Sequence, residues 1–400
     1  MSHSPSEKPF DGRHTLLACP PRTYGRIKAA GVPALRAAAL TGPARCNVVK
    51  RNHKQHREKG MRFLRLLSTA AFGVLALTAT ANADTWRFGL EEIEGSVQYS
   101  YAERFKELVE KKSDGDISVQ LLPYGKWGST YSALYDAIQG GAIQLGFGSG
   151  ALGGTVPESQ LLNLNYIMPS DQWVTARGLN SDTFLKSQAW QQSFRARSLV
   201  PLAELPEGYQ VWTANKPIHT PADIENLHIR VMDNSLLRAT YKAYGASPTS
   251  IAYGELYSAL QQGQAEGNIQ PVFAHEEMAF YEVQKYMIFA QQSQFVATMM
   301  GNADWYDGLS DAQKAMIDEV TATLVREGYD IQTQYNKERL ATIKNKSDIK
   351  IIELTDKQQA QFRKMAKPVR KTYVKEVGPR GQQSLNALLK AFKEAEKADS

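Results

Sequence analysis

Residues 61–83 constrain the fold more than any other part of the sequence, because they set where the folded chain begins. The segment starts with two arginines, continues through a mostly apolar, uncharged run of twelve residues at 66–77, and ends in Ala81-Asn82-Ala83. A basic start, a short apolar core and small residues at the positions read by a signal peptidase form an export signal. A membrane-spanning helix would need roughly 20 consecutive apolar residues. We therefore expect a cleaved signal peptide, a mature chain that begins near Asp84, and a periplasmic location.

The 60 residues ahead of this segment are rich in arginine, proline and alanine and show no sustained hydrophobic period. They also hold both cysteines, Cys19 and Cys46. Since a signal peptide normally starts at the first methionine, we interpret residues 1–60 as a non-native extension from a misassigned start, with Met61 as the true first residue. A genuine basic tail or a transit peptide is the alternative.

Without this leader the chain changes its electrostatic character. Residues 84–400 contain 33 lysines and arginines against 38 aspartates and glutamates, a formal net charge of −5, whereas the whole sequence carries +6. The basicity that would suggest a nucleic-acid partner thus belongs to the leader, and we expect no such partner. The same residues contain no cysteine and no further apolar span, which excludes disulfides and a lipid anchor and predicts no direct membrane insertion.

The pattern of apolar residues in the mature chain indicates an α/β fold. Residues 86–88 are typical of a strand, apolar residues at 97–109 recur at helical spacing, and 117–121 alternate as in a strand. A second unit begins with the helix start Thr220-Pro221-Ala222-Asp223 and continues into a strand at 228–231. Alternating strands and helices predict mixed, mostly parallel sheets that are covered by helices.

The mature chain is longer than one ordinary hydrophobic core requires, so we predict a two-lobe fold with a hinge. We place lobe I at 84–207 and lobe II at 208–303. The sequence Tyr-Ser-Ala-Leu at 131–134 recurs at 257–260, with Ile-Gln at the same distance after each copy. This repeat fits two lobes built on one plan.

Residues 304–400 are predicted to be helical. A capping box begins at Ser310, and apolar residues then keep helical spacing for more than thirty residues without a proline. A helix of this length exceeds the globular average, so we expect it to span both lobes. The helices that follow are expected to pack back on the lobes.

Residues typical of catalysis or metal binding do not form a recognisable set. The three histidines of the mature chain, His219, His228 and His275, lack the spacing of metal ligands. No nucleophile elbow and no phosphate-binding loop occurs in the sequence. We therefore expect no metal, no cofactor and no enzymatic activity.

An exported hydrolase that acts on a small acidic substrate is the alternative function. The clustered acids Glu91, Glu92 and Glu94 would supply its acid/base groups. Clustered acids, however, more often lie on a solvated surface, and no other residues in the sequence complete a catalytic site with them.

A two-lobed exported chain suits the capture of a small molecule by hinge closure. Arg230 is the best candidate for holding an acid, because it interrupts the apolar strand at 227–231 and its planar fork matches a carboxylate. A salt bridge is an equally good interpretation of this arginine. The glycine-rich stretch 146–150 follows a strand and lacks the lysine of a phosphate loop, so it predicts a strand exit at Ser149 that a ligand can approach closely.

Three stretches of lobe II carry a resemblance to a known family. They are Leu227-His228-Ile229-Arg230-Val231, Tyr244-Gly245-Ala246-Ser247-Pro248-Thr249 and GELYSALQQG at 254–263. With the rest of the mature chain they resemble the substrate-binding proteins of tripartite ATP-independent periplasmic (TRAP) transporters. The residues at 86–98 and 206–208 are similar to those of ectoine-binding members.

The resemblance implies a periplasmic binding protein that captures a small organic acid, whether a carboxylate, a zwitterion or a sulfonate. It implies delivery of this ligand to the small and large membrane subunits of a TRAP permease. It also implies that Arg230 pairs with the ligand carboxylate, that Glu92 meets a positively charged group, and that Tyr253 forms an aromatic wall.

Several positions depart from the family pattern. Gln210 stands where many members have a second arginine, and Gln270 stands where an asparagine commonly helps to hold the carboxylate. In the apolar box of ectoine binders, Leu152 replaces an aromatic residue and Ala274 replaces a tryptophan, while Phe273 is retained. The resemblance implies that these positions belong to the site, and the less aromatic box leaves ectoine as one candidate ligand among several.

Overall fold

The structure is a computed structural model that describes residues 84–128 and 130–399, which belong to one compact unit. The predicted extension at 1–60 and the predicted signal peptide at 61–83 lie outside the described residues. The strands are β1 (Asp84–Gly89), β2 (Ile117–Leu122), β3 (Leu145–Gly148), β4 (Leu199–Ala214), β5 (His228–Val231), β6 (Ser247–Ser250), β7 (Gly267–Pro271), β8 (Tyr286–Phe289), β9 (Gln294–Asn302) and β10 (Lys350–Glu353). The α-helices are α1 (Val97–Lys112), α2 (Tyr131–Gln139), α3 (Gln172–Leu179), α4 (Gln188–Arg195), α5 (Pro221–Ile224), α6 (Ser235–Ala243), α7 (Leu256–Gln261), α8 (Val272–Glu277), α9 (Ala303–Gly308), α10 (Asp311–Lys346), α11 (Asp356–Ala366), α12 (Val369–Val377) and α13 (Pro379–Asp399). Short 3-10 helices lie at Gly150–Gly154, Pro157–Asn163, Tyr253–Glu255 and Phe280–Glu282.

The strands form one mixed sheet made of two half-sheets with the same order. In the first, β2, β1 and β3 are parallel neighbours, and β9 is antiparallel to β3. In the second, β6, β5 and β7 are parallel neighbours, and β4 is antiparallel to β7. Five of the nine pairings between described strands are parallel, so the prediction of a mixed, mostly parallel sheet is confirmed. We call the first half-sheet with its helices lobe I and the second lobe II.

Strand β4 belongs to both half-sheets. Its first part pairs with β9 as far as Tyr209, and its last part, from Gln210 to Ala214, pairs with β7. The predicted boundary at 207/208 therefore falls inside a continuous strand. Strand β9 lies within the range predicted for lobe II, yet it pairs with β3 and β4 of lobe I, because the chain returns to lobe I after β8.

A β-bulge lies just before β4 changes partner. The pairing with β9 shifts register between Pro206 and Gly208, so Glu207 is the extra residue. Gly208 has a φ of +110°, and a Cβ at this position would lie 2.4 Å from Nδ2 of Asn336. The same nitrogen donates to the Glu207 carbonyl at 2.8 Å and holds the bulge against helix α10. The bulge is thus a bend in the strand that joins the lobes.

Helix α10 runs for 36 residues and contacts both lobes. Arg104 on α1 donates to Glu327 from two nitrogens at 2.5 and 3.0 Å, which fixes the helix to lobe I. Arg339 donates to Glu276 on α8 at 3.0 Å, which fixes it to lobe II. The predicted capping box at Ser310 is present. No helix in the described part of the chain is both long and apolar enough to cross a membrane.

The last helices return the chain from lobe II to lobe I. Helices α11 and α12 contact α6 of lobe II, and α13 packs on α3 and α4 of lobe I. Arg380 forms an ion pair with the buried Glu158 at 2.5 Å, and Tyr373 donates to the carbonyl of the same residue at 2.9 Å. This end of the chain therefore lies against both lobes.

The repeated Tyr-Ser-Ala-Leu sequence occupies equivalent places in the two lobes. The first copy opens α2, which leads into β3, and the second lies in α7, which leads into β7. Strands β3 and β7 are each the last parallel strand before an antiparallel neighbour. The two copies of the repeat occupy equivalent places because the two half-sheets have the same strand order.

Gly208→Ala is expected to destabilise the protein by about 1–3 kcal/mol, because an L-residue is strained at this φ and its Cβ would displace Asn336 from the bulge. The midpoint of urea unfolding, followed by tryptophan fluorescence, measures the change. Gly308→Ala is the control, since a Cβ on that exposed glycine meets no atom within 4 Å. Equal midpoints for the two variants would contradict a strained bulge.

Candidate ligand-binding site

The carboxyl ends of the parallel strands of both lobes meet at one cleft. Residues after β2 and β3 reach it from lobe I, and residues at the ends of β5 and β6 reach it from lobe II. A cavity of about 530 Å³ lies between them. Open α/β sheets bind ligands at this end of their strands, and the cavity has the size of a small-molecule site.

Arg230 is the only arginine or lysine among the described residues that line this cavity. Its side chain is buried, and its Nε donates to the carbonyl of Ile251 at 3.0 Å. Nη1 makes no hydrogen bond, and no described carboxylate lies within ion-pair distance, so the interpretation of Arg230 as half of a salt bridge is wrong for the described residues. Burial lowers the pKa of this guanidinium, which nevertheless stays charged at neutral pH. A buried cation without a partner is costly, which favours an anion supplied from outside.

Three tyrosines form a wall beside Arg230, and we call Tyr124, Tyr131 and Tyr253 the tyrosine wall. The ring of Tyr124 meets those of Tyr131 and Tyr253 edge-to-face at centroid distances of 5.9 and 6.5 Å. The Tyr253 hydroxyl is buried and makes no hydrogen bond within the described chain. Burial raises the pKa of Tyr131 and of Tyr253, and the charge of Arg230 opposes this rise. The wall therefore offers aromatic edges and a free hydroxyl close to the cation.

Two consecutive acids, Glu91 and Glu92, are buried at the end of β1. Gln98 holds both, since its side chain accepts from the Glu91 amide at 2.6 Å and its own amide donates to Glu92 at 3.3 Å. The Tyr135 hydroxyl donates to Glu91. Burial raises the pKa of each carboxyl to about 7. The expectation of a solvated surface is wrong for these two acids, and only Glu94 of the three is exposed.

Glu207 and Glu277 complete a group that we call the carboxyl cluster, with Glu91 and Glu92. Glu207 is fully buried, and burial together with the charge of Glu92 raises its pKa well above the ordinary value. Burial and Glu92 also raise the pKa of Glu277, to about 9. The cluster therefore holds protons at neutral pH and carries less than its full negative charge.

Two of the predicted site residues, Arg230 and Tyr253, line the cavity. The charge of Glu92 raises the pKa of Tyr253, and the charge of Arg230 lowers it. Ser149 is buried one layer deeper, with its hydroxyl and amide beside the carboxyl of Glu91. The unpaired cation thus lies at the cavity, whereas Glu92 and Ser149 are buried outside its lining.

Leu152 and Gln210 have other partners. Leu152 is fully buried in the core beneath β3, where a Cβ on Gly148 would lie 3.0 Å from it, and Ala151 lines the cavity instead. The Gln210 amide donates to the hydroxyl of Ser293 at 3.2 Å and ties β4 to the loop before β9. Neither side chain lines the cavity around Arg230.

Gln270 and Phe273 lie behind the cavity in lobe II. Gln270 is buried on β7 opposite Val211 of β4. Phe273 is buried in the same apolar cluster as Tyr253, and its backbone amide donates to Asn336 at 3.2 Å. Phe273 therefore connects the apolar cluster that contains Tyr253 to helix α10.

The lobes touch at the start of helix α6. The Asn234 side chain of lobe II donates to the Gly150 carbonyl of lobe I at 2.7 Å. Gln160 of lobe I accepts from the backbone amide of Leu236 at 3.1 Å and from the Ser235 hydroxyl at 2.8 Å. Lobe I therefore satisfies one backbone donor, the amide of Leu236, that helix α6 cannot satisfy by itself.

The described residues contain no group of three or more side chains that could hold a metal ion. His275 is buried, and burial lowers its pKa to about 4, so it is neutral at pH 7. What the geometry offers is charge recognition: an arginine for an anion, carboxyls for a cation and aromatic edges beside them.

Sequence reasoning missed Tyr124 and Tyr131 as residues of the cleft and Glu207 as a member of the carboxyl cluster. The repeat contained a usable signal, because Tyr131 opens the helix that precedes β3. Glu207 stands in a Pro-Glu-Gly sequence, and a glycine inside a strand often marks a bulge. Tyr124 lies in a loop and left no signal.

A family model and curated relatives match most of the chain. The model named DctP, described as bacterial extracellular solute-binding protein, family 7, matches residues 88–376. The ectoine-binding periplasmic protein TeaA of Halomonas elongata is 32% identical over 330 residues, covering 82% of this chain and 96% of the relative. The ectoine/5-hydroxyectoine-binding periplasmic protein UehA of Ruegeria pomeroyi is 34% identical over 333 residues, covering 82% and 95%.

Solved structures of the same kind share the fold. A TRAP periplasmic solute-binding protein from Marinobacter aquaeolei, in an apo open structure, has a TM-score of 0.72 and 38% identity, covering 76% of this chain and 99% of that chain. The ectoine-binding protein of the TeaABC transporter of Halomonas elongata has a TM-score of 0.73 and 30% identity, covering 78% and 100%. The neighbours are two-lobe periplasmic binding proteins, as is the fold described above.

Glu91→Gln is expected to remove a pH-dependent loss of stability. The folded-state pKa of Glu91, about 7, lies above the ordinary 4.5, so the folded protein binds this proton more tightly than the unfolded chain does. The stability that this proton contributes is fully present below the ordinary pKa and is lost as pH rises through the folded-state pKa. Between the two pKa values the free energy of unfolding falls by on the order of 1.4 kcal/mol per pH unit. Melting temperatures between about pH 5 and about pH 8 should show the variant gaining on the wild type as pH rises.

The control for this experiment is Glu94→Gln, which changes the exposed acid of the same loop. Its melting curve should follow the wild type over the whole range. Parallel pH profiles for Glu91→Gln and the wild type would argue against a buried carboxyl with a raised pKa.

Proposed function

The chain belongs to the bacterial extracellular solute-binding protein family 7, and we propose that it captures a small zwitterionic organic acid between its lobes and delivers it to a TRAP membrane permease. Proteins of this family bind solutes for transport, so the chain is a binding protein and not the exported hydrolase considered as the alternative. The relatives are periplasmic proteins, and the predicted signal peptide at 61–83 would bring the chain to the same compartment.

The unpaired Nη1 of Arg230 is the observation that carries the proposal. Only Ile251 occupies the described hydrogen-bonding surface of this side chain, through Nε. A carboxylate or sulfonate in the cavity would give the guanidinium both a counter-charge and hydrogen-bond acceptors. The adjacent Tyr253 hydroxyl would donate to the same anion.

The carboxyl cluster supports a cationic group at the other part of the ligand. Glu91 and Glu92 are buried, and each has a pKa of about 7, so a nearby cation would favour their ionised forms. Glu92 also lies close to Tyr253, which connects the cluster to the cavity. We assign Glu92 to the cationic group and Arg230 to the anionic group.

This distribution of charge favours a zwitterion over a dianion. A dicarboxylate would bring two negative charges to a cleft with one arginine and several acids, whereas a zwitterion adds no net charge. Like charges brought together in a buried site are strongly unfavourable. We therefore rank zwitterions above dicarboxylates, with hydroxy-monocarboxylates and sulfonates that lack a cationic group between them.

Ectoine is the first ligand to test. Two relatives are named for binding ectoine, and a cyclic amidine with one carboxylate has both charges that the cleft requires. The aromatic box differs here, because Leu152 is packed in the core and Ala274 is small. We propose that the tyrosine wall supplies the aromatic contact instead.

Closure of the lobes would complete the site. We propose that the bulge in β4, the loop at 290–293 and helix α10 act as the hinge, because each of these segments passes between the lobes. In this scheme residues 84–207 together with β9 form lobe I, and 208–293 form most of lobe II. Delivery would follow when the permease favours the open form.

A thermal-shift screen should identify the ligand class. A bound ligand raises stability by mass action, so the melting temperature rises with ligand concentration. We expect shifts with ectoine and 5-hydroxyectoine, smaller shifts with a simple amino acid or taurine, and none with succinate. A larger shift with succinate than with any zwitterion would contradict the proposed ligand class.

Arg230→Ala should weaken binding of the best ligand at least about 100-fold while the fold is retained, because a ligand anion would lose its charged partner. Arg230→Lys should fall between this variant and the wild type, since lysine keeps the charge but lacks the planar fork. Isothermal titration calorimetry measures the affinities. Arg195→Ala is the control, because Arg195 pairs with Asp307 on the surface, and it should bind like the wild type. Unchanged affinity in Arg230→Ala would refute the assignment.

A further inference from the structure

Glu207 is a fully buried acid that the proposed function does not use directly. It is the extra residue of the bulge in β4, and its Oε1 accepts from the side chain of Gln98 at 3.5 Å. Its Oε2 is buried and receives no hydrogen bond within the described chain. The carboxyl of Glu92 lies within hydrogen-bonding reach of Glu207.

Gln98 ties this acid to the ligand site. It is fully buried, and it contacts Glu91 with its side-chain oxygen, Glu92 with its backbone amide and Glu207 with its side-chain nitrogen. One residue at the start of α1 therefore fixes three of the four members of the carboxyl cluster.

We propose that Glu207 is a positioning residue for ligand binding, which in its protonated form donates a hydrogen bond to Glu92 and leaves the negative charge of the pair on Glu92. The inference rests on the proposed function, because that function assigns Glu92 to the cationic group of the ligand. Glu207 itself does not touch the ligand in this arrangement. Its effect is to hold the Glu92 carboxylate in place and in its charged form.

The two acids differ in what surrounds them, and this decides which one carries the proton. Glu92 accepts from the amide of Gln98 in the first turn of α1, a helix of 16 residues, and a helix N-terminus favours an anion. Glu207 has only the long contact with the Gln98 side chain. Two carboxylates that share a buried site cannot both ionise easily, so the proton stays on Glu207.

The other titratable groups near the pair agree with this assignment. Glu91 lies on the same side and raises the pKa of both acids. Burial and the charge of Glu92 raise the pKa of Glu277 of α8 to about 9, so this acid is itself protonated at neutral pH. Tyr101 of α1 uses its hydroxyl to donate to the carbonyl of Pro206 at 2.6 Å and so does not stabilise an ionised Glu207.

The nearest cation of helix α10 is already engaged. Arg339 lowers the pKa of Glu277, but its ion pair is with Glu276 at 3.0 Å. Arg230 lines the cavity, and the charged groups that shift the pKa of Glu207 are Glu92 and Glu91. Among the described residues, Glu207 therefore has no cation that would favour its ionised form.

The proposal leads to a pH profile for binding. Glu92 has a pKa of about 7, so protons compete with a cationic ligand group below that pH, and affinity falls by up to tenfold per pH unit. The hydrogen bond from Glu207 lowers the pKa of Glu92. Loss of the donor should raise this pKa and shift the fall in affinity to higher pH.

Calorimetry with ectoine from about pH 6 to about pH 9 tests this on Glu207→Gln and Glu207→Met. Glutamine keeps a donor to Glu92 and an acceptor for Gln98, so we expect affinity within about threefold of wild type and the same midpoint. Methionine has neither, so we expect about tenfold weaker binding at neutral pH and a midpoint shifted upwards. Equal midpoints for all three proteins would overturn the proposal.

Infrared spectroscopy tests the protonation state without any ligand. At neutral pH the carboxylic acid C=O region of the wild type should contain a component that Glu207→Gln lacks, beside the bands of other protonated acids such as Glu277. This comparison holds even if Glu207→Met fails to fold. Identical spectra in this region would overturn the proposal. If no zwitterion binds, or if Arg230→Ala binds normally, the proposed function fails while the band is still present, so the two failures are distinguishable.

Discussion

Strand β4 has to complete its backbone hydrogen bonds in two half-sheets at once, and the two-lobe architecture depends on this requirement. A buried backbone amide or carbonyl without a partner is costly, so the strand stays paired along almost its whole length, first with β9 and then with β7. A continuous strand bends where its pairing is interrupted, and the bulge at 206–208 is that interruption. The lobes are thus joined by a bent but unbroken strand, with α10 beside it.

Burial acts in opposite ways on the two kinds of charge in the cleft. An arginine keeps its proton even when it is desolvated, so Arg230 remains a cation and requires an anion. Carboxyl groups can avoid the desolvation cost by binding protons, and the raised pKa values of Glu207 and Glu277 show this response. The arginine therefore provides a fixed charge, whereas the charge of the acids depends on pH and on what binds next to them.

Much of the fold follows from local patterns, and that is why the sequence predicted it. The period of apolar residues gives β1, α1 and β2, and the capping box gives the start of α10 at Ser310. The place of β9 in lobe I did not follow, because pairing between distant strands leaves no local signal. The same holds for the cleft: Arg230 was detectable as a charge in an apolar strand, but the burial of Glu91 depends on Tyr135 and Gln98. Contacts between side chains that are remote in sequence decide the site, and composition carries no information about them.

The contacts between the lobes connect closure to ligand selection. Gly150 and Gln160 of lobe I accept hydrogen bonds from the start of α6 in lobe II. These hydrogen bonds exist only while the two lobes are in contact. A ligand shifts the balance between an open and a closed form only by the difference in its affinity for the two. Arg230 belongs to lobe II and Glu92 to lobe I, so under the proposed function a molecule that binds only one of them would stabilise open and closed forms almost equally. A zwitterion with its charges at the right separation would bind both, and it would therefore shift the population to the closed form that neither charge alone would favour.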